Sequence, residues 1–287
     1  MSRLRRPSRR RALGLQSIPR PLQALWIGRG LKEGVVTTRY PRRSDGYGEK
    51  WRGSVSLQGL AAARGRLDTA ELQEAVRLCP TGAIADAGDH LSLDRGRCIL
   101  CGRCVAGRPE WFRFDASPEL STLSRRGLVL PEESEANLAE VKEELADRVR
   151  ALRRSVHVRH VDAGSDGSEE WEVAALLNPV YDVQRLGIYF TATPRHADLL
   201  LVTGVGTAGM VEPLRRTYEA MPEPRVVLAA GTDAISGGII HPTYATRGGV
   251  GDIVPIDIFV PGSPPSPFSL LHGILLGVGL LTSRGGS

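Results

Sequence analysis

No cysteine occurs before position 79 or after position 104 of this 287-residue chain. A disulfide framework spread over the fold is thereby excluded. Four thiols confined to so short a stretch point instead to a metal site in a reducing compartment. Nor is there a run of eighteen or more apolar residues, which excludes a membrane-spanning helix. The longest apolar stretch, Phe268 to Leu281 (FSLLHGILLGVGLL), is interrupted by His272 and three glycines. It predicts a buried helix; contact with a membrane partner is the weaker reading. Aromatic residues make up only 5% of the chain against 33 glycines, the balance of a loop-rich α/β protein.

Acidic residues are missing from one end. Residues 1–32 hold nine basic side chains (Arg3, Arg5, Arg6, Arg9, Arg10, Arg11, Arg20, Arg29 and Lys32) and no Asp or Glu. Everything after Lys32 has 28 basic against 32 acidic residues, a net −4. The formal +5 therefore describes an arm and not a nucleic-acid-binding body. Such an arm reads as a tail, or as a segment drawn to anionic lipid or an acidic partner. Ser8-Arg9-Arg10-Arg11 has the look of a twin-arginine export signal, but Pro19, Arg20 and Pro21 break the apolar core such a signal needs. The expectation is no export and a cytoplasmic chain.

The pattern divides into four parts: a basic arm (1–25), a cysteine-bearing domain (26–118), a linker with a bridging helix (119–154) and an α/β domain (155–287). Val35–Pro41 (VVTTRYP) predicts a short strand or extended arm. Leu138, Val141, Leu145, Val149 and Leu152 form one stripe of a helix over 131–154, acidic at its start and arginine-rich at its end. Farther on, Ser155–Val161, Ala197–Thr203, Arg225–Ala230 and Ile253–Val260 read as strands, with Met210–Met221 helical between two of them. Alternating strands and helices imply a parallel sheet.

The cysteines carry the chemistry. Cys98-Ile-Leu-Cys101-Gly-Arg-Cys104 is a C-x2-C-x2-C run, and Cys79-Pro80 stands nineteen residues before it. Two-cluster ferredoxins use C-x2-C-x2-C-x3-C-P twice, and the fourth cysteine of each motif ligates the other motif's cluster. Laid on this chain, the first motif has Thr69, Leu72 and Ala75 where its triple belongs but keeps Cys79-Pro80. The second keeps its triple and has Arg108-Pro109 in place of its fourth cysteine. The survivors are the complete ligand set of one cluster. One 4Fe–4S cluster on Cys79, Cys98, Cys101 and Cys104 is the favoured reading, a four-thiolate zinc site its rival. Thr69–Ala75 (TAELQEA) reads as a plain helical turn.

From His160 onward, the stretches HVDAGS (160–165), ALLNPVYDVQRLGIYFTATPRHADLLLVTG (175–204), PLRRTYEAMPEPRVVLAAG (213–231) and DIFVPGSPPSP (257–267) resemble the 20 kDa subunit of complex I. They resemble even more the small subunit of energy-converting, membrane-bound NiFe hydrogenases and of formate hydrogenlyase. Residues 26–118, including LKEGVVTTRYP (31–41), are similar to the ferredoxin-like subunit of the same complexes. The resemblance implies an α+β ferredoxin-like domain followed by an α/β flavodoxin-like domain. It also implies a large subunit docked on the second domain, integral membrane subunits beneath, and a peripheral place on the inner face of the membrane.

In those relatives a cluster in the α/β domain is held by cysteines in the contexts D-A-G-S-C-N-G-C, G-x-C-A and P-G-C-P-P. Here the positions carry Asp166, Glu169, Asp233 and Ser263. Hard oxygen ligands do not ordinarily hold such a cluster, so none is expected there. The replacements read as a repacked surface, with a hard-cation or proton-handling site as the sharper alternative. Gly204-Val-Gly206-Thr-Ala-Gly209 matches the dinucleotide fingerprint after a predicted strand, with Asp233 near the place of a ribose-binding acid. The resemblance assigns that turn to the cluster site, and glycines also simply permit a tight turn. Arg195 and His196 read as structural or partner-facing. The rival functions are a non-redox scaffold with a structural cluster and, more remotely, a nucleotide-dependent oxidoreductase.

Overall fold

The computed structural model describes residues 26–43, 46–47, 51–59, 68–88, 90–131, 155–240 and 242–281, together with positions 143, 145, 147 and 149. The basic arm and nearly all of the helix expected over 131–154 lie outside the described residues. From that expected stripe, Leu145 and Val149 are buried in the core of the α/β part.

Five parallel strands form the C-terminal sheet: β6 (Val156–Asp162), β7 (Ile188–Phe190), β8 (Leu199–Thr203), β9 (Val226–Ala230) and β10 (Ile258–Val260). Their order is β10-β9-β8-β6-β7, the flavodoxin-like arrangement in which the connections reverse direction between β6 and β8. Leu199–Thr203 and Val226–Ala230 are buried at every position, as strands covered on both faces must be. Alternation then assigns the side chains. Leu199, Leu201, Val226 and Leu228 pack toward the helix Pro267–Gly277, while Leu200, Val202, Val227 and Ala229 pack with Leu214 of the helix Val211–Glu219.

The apolar stretch near the C-terminus is the helix Pro267–Gly277, with Phe268, Leu270, Leu271, Ile274 and Leu275 buried. Ser266 caps it by accepting from the Ser269 N–H at 3.2 Å, and Pro267 occupies its first turn. Gly273 lets it lie close to the sheet, since a side-chain carbon there would collide with Val260. One expected strand is shorter than its sequence pattern. Of Ile253–Val260 only residues 258–260 join the sheet, because Pro255 has no N–H for a ladder and 250–254 bends through a turn.

The N-terminal part follows the order β1 (Ser54–Leu57), helix Thr69–Leu78, β2 (Ile84–Asp86), β3 (Leu91–Asp94), helix Arg103–Gly107, β4 (Phe112–Asp115). Strands β1 and β4 pair antiparallel. A second antiparallel sheet has the order β2-β3-β5, where β5 is Val129–Leu130. Val55, Leu72, Ala75, Ile84, Leu91, Leu93, Trp111 and Phe112 close a separate small core. Thr69–Leu78 is helical where the first cysteine triple would have stood.

The segment Val35–Pro41 forms no strand and crosses to the other half. The Thr38 N–H donates to the Val180 carbonyl at 2.7 Å, and the Thr37 hydroxyl to the Pro179 carbonyl at 2.8 Å. Tyr40, Trp51 and Tyr181 pack their rings around Phe268, with centroid distances from 4.8 to 5.7 Å. That aromatic cluster, with the two hydrogen bonds, holds residues 35–41 against the α/β part. Farther along, Thr122 bridges Phe259 at the sheet edge, and the Ser121 hydroxyl donates to the Ser269 carbonyl at 3.2 Å.

Candidate metal centre

Cys79, Cys98, Cys101 and Cys104 line one pocket, walled otherwise by Val55, Leu78, Ala83, Ile84, Leu93 and Ile99. Two loops deliver them. Cys79 ends the helix Thr69–Leu78, and its sulfur accepts the Ala83 N–H at 3.2 Å. The Thr81 hydroxyl lies 3.5 Å from the same sulfur and donates to the Arg97 carbonyl at 2.7 Å, tying the two loops together. The loop carrying the other three turns through left-handed backbone at Leu100 (φ +55°) and Gly102 (φ +76°). Glycine accepts that conformation freely, whereas at a leucine it is uncommon and marks a constrained site. Backbone N–H groups of Leu100 and Val105 point at the sulfurs of Cys98 and Cys104.

Burial in this apolar pocket pushes the Cys98 thiol up to about 12, with the other three sulfurs adding repulsion. Cys104 is raised for the same chief reason. A metal bound to such thiols takes the place of their protons, so its binding would release them. Among the described residues no three His, Cys, Asp or Glu side chains close on a point where one metal ion could sit; the four sulfurs share one pocket without meeting at its centre. The donor set itself, four sulfurs from two loops with N–H groups aimed at them, fits the ligation of an iron–sulfur cluster; four thiolates also suit zinc.

The second group of singled-out residues lies past the carboxyl ends of the parallel strands. This is the edge where open α/β sheets place their sites. Asp166 and Glu169 follow β6, Asp233 follows β9 and Ser263 follows β10. Glu169 is 1% exposed, with its carboxylate against Gly231 and accepting from the Ser168 hydroxyl at 3.0 Å. Burial above all lifts it to about 7, and the charges of Asp233 and Asp166 push the same way. Asp233 is raised by burial and by Asp166, whereas Asp166 is lowered by hydrogen bonds from Ser168. The fold thus brings the three carboxylates within mutual influence. Ser263 stands on the adjoining turn, next to Gly262, whose carbonyl accepts the Thr232 N–H at 2.7 Å.

A neighbouring glutamate escaped the reading of the sequence. Glu170 accepts from the Thr203 hydroxyl at 2.5 Å and from the Ser165 hydroxyl, and His160 Nε2 lies 3.0 Å from the same Thr203 oxygen. This network clamps the loop that carries Asp166 and Glu169. Thr203 is fully buried, so its hydroxyl serves as a clamp and not as a nucleophile. The only sequence signal was the HVDAGS stretch at 160–165, which says nothing about a glutamate beyond it.

The glycine-rich turn after β8 is closed by the chain itself. A side-chain carbon on Gly204 would come 2.5 Å from the backbone of Gly164 and Ser165, and one on Gly206 would collide with the Gly249 carbonyl. Both glycines are needed for loop-to-loop approach at the point where the strand order reverses. Arg195 and His196 are exposed on the turn Pro194–His196.

The two groups of residues meet across a shared helix. Gly231–Ser236 carries Asp233, while its Thr232 hydroxyl donates to the Cys98 carbonyl at 3.1 Å and its Ser236 hydroxyl to the Gly96 carbonyl at 2.7 Å.

The sequence of this chain has counterparts among known proteins. Residues 167–276 match the family described as NADH ubiquinone oxidoreductase, 20 Kd subunit. The chain is 38% identical over 136 residues to the probable membrane-bound hydrogenase subunit mbhJ of Pyrococcus furiosus, covering 47% of this chain and 81% of that one. It belongs to the family of these 20 Kd and membrane-bound hydrogenase subunits. Formate hydrogenlyase subunit 7 of Escherichia coli is 37% identical over 158 residues, 55% of this chain; the match spans 61% of that relative's length. A chain of the membrane-bound sulfane sulfur reductase, an archaeal respiratory membrane complex, aligns with a TM-score of 0.40 at 30% identity, covering 46% of this chain and 75% of that one.

Proposed function

We propose that this chain is a peripheral electron-transfer subunit of a membrane-associated complex related to energy-converting hydrogenase and complex I. It would hold one 4Fe–4S cluster on Cys79, Cys98, Cys101 and Cys104. The observation that carries the reading is the convergence of all four cysteines, from two separate loops, on one apolar pocket. The β-α-β-β-α-β element order around that pocket supports a ferredoxin-like origin for residues 26–118. When bound, such a cluster takes up and returns a single electron. The chain's own part is to hold the four sulfurs, direct the Ala83, Leu100 and Val105 N–H groups at them, and keep the pocket apolar. Those hydrogen bonds and that burial are the levers that set a potential.

Residues Asp166, Glu169, Asp233 and Ser263 stand as the remnant of a second cluster site. The Glu169 carboxyl fills space against Gly231 and Ser168, which supports a repacked site in preference to a cation-binding one. In this reading the partners are a hydrogenase-like or complex I-like large subunit and integral membrane subunits, with no nucleic acid. Among the described residues no helix is long and apolar enough to cross a membrane, consistent with a peripheral position.

The test is anaerobic reconstitution of the full chain with iron and sulfide, followed by metal and sulfide analysis and a redox titration. Four irons and four sulfides per chain with reversible reduction are expected. Uptake of zinc alone overturns the cluster. A loaded protein that does not cycle leaves the scaffold reading in its place. Calcium, magnesium or manganese retained through dialysis would restore the cation reading of the carboxylates.

A further inference from the structure

The helix Trp26–Glu33 presents an apolar face that nothing in the described structure covers. Trp26 is 81% exposed, Ile27 54% and Leu31 59%, and the chain runs on into Val35 at 85%. At about 100° per residue, Trp26, Ile27 and Leu31 share one side of the helix, and Arg29, Lys32 and Glu33 the other. Gly28 alone is buried, so the helix rests on the protein along a narrow line. A side-chain carbon built on Gly30 or Gly34 would meet nothing within 4 Å, so the space over the helix is open. A tryptophan beside two exposed aliphatics is a contiguous patch that soluble surfaces seldom leave bare.

Charge identifies the occupant. Seven arginines precede the helix in residues 1–25, Arg29 and Lys32 lie within it, and the first acid of the chain is Glu33. An apolar protein groove would use the three apolar side chains and leave nine cations unexplained. An acidic protein or a nucleic acid would use the cations and leave Trp26, Ile27 and Leu31 in water. An anionic lipid surface uses both, headgroups taking the cations and the acyl boundary taking the apolar face. We infer that the helix Trp26–Glu33 lies in the interface of an anionic membrane leaflet, with its Trp26–Ile27–Leu31 face inserted and Arg29 and Lys32 on the headgroups. The inference rests on the peripheral-subunit reading for its setting and supplies the contact by which this chain itself meets the bilayer.

The experiment is flotation of the full chain with vesicles of phosphatidylcholine, alone or with phosphatidylglycerol added. Binding to the anionic vesicles only is expected, weakened by salt, with quenching by brominated acyl chains that is lost in Trp26→Phe. Ile27→Asp with Leu31→Asp should lower partitioning by about tenfold or more; both residues are exposed, so circular dichroism and melting should be unchanged. Undiminished binding of that double variant would assign attachment to the arm alone and overturn the inference. So would binding to native membranes that disappears after protease treatment, which identifies a protein partner. Iron and sulfide are assayed on the same samples. A cluster-free chain that floats sinks the redox reading only, and a loaded chain that ignores both vesicles sinks this inference only.

Discussion

The hydroxyl of Thr232 donates to the backbone carbonyl of Cys98 at 3.1 Å, so the loop carrying three of the four cysteines is fastened to the helix that carries Asp233. Ser236 makes a second fastening at the Gly96 carbonyl, and Gly96 itself faces Ile235, with no room for a side chain. The cysteine pocket and the carboxylate group are therefore two sides of one junction.

Thr232→Val should leave the Cys98 carbonyl without its side-chain partner and cost about 1–3 kcal/mol, because buried acceptors lose their full desolvation compensation. Adding Ser236→Ala should loosen the cysteine loop further. Urea unfolding reads the loss, and faster amide exchange in residues 96–104 locates it. Unchanged exchange there would show that the junction does not steady the loop.

Cys79 comes from a different loop than its three companions. Cys79→Ser should therefore abolish four-iron loading while sparing the fold of residues 155–240. Iron content falls and the melting of the α/β part stays. Full loading of the variant would remove Cys79 from the ligand set.

Glu169 gives a pH prediction with a definite sign. Its folded value near 7 lies above the ordinary 4.5, so between those values the folded chain holds more proton than the unfolded one. Stability should fall as pH rises through that window, by about 3 kcal/mol at most, and level off above it. Glu169→Gln should remove this slope and gain on the parent protein at pH 8 relative to pH 4. Urea midpoints of both proteins across the window provide the check, since Asp233 and the half-buried Glu172, both raised by burial, titrate in both. Parallel curves would mean that the buried carboxyl is not held neutral.

Gly273→Ala should destabilise by about 1–3 kcal/mol, the usual cost of overpacking, because the new methyl meets Val260 in the closest contact between helix and sheet. Thermal melting measures it. A neutral substitution would mean that the helix can shift outward at no cost.

Titration with NAD(H) or NADP(H) should show no binding. Gly204 and Gly206 face the backbone of residues 164–165 and 249 rather than an open crevice. A saturable calorimetric signal would revive the nucleotide reading.

Much of the α/β part was legible beforehand. Leu199–Thr203 and Val226–Ala230 announce themselves as unbroken apolar runs, because a strand covered on both faces has no polar positions to show. The stretch Phe268–Leu281 was legible as a buried helix, because apart from His272 and its glycines it is apolar. Residues 35–41 read as a short strand or an extended arm, and nothing local told where they pack: their place depends on Phe268, which lies far along the chain. The same holds for Glu170, whose clamp partners Thr203 and His160 belong to adjacent strands, and for the Thr232–Cys98 bond between residues 134 positions apart.

Residue types and their spacing were enough, alone, to pick out the four thiols, the positively charged arm and the alternation of strand and helix. Each of these is a property of neighbours along the chain. Strand order, the docking of residues 35–41 and the burial of Glu169 against Gly231 were settled only once the chain had folded. They depend on which distant loops the sheet topology brings to one edge, and topology is a competition among packings that no short stretch of sequence encodes.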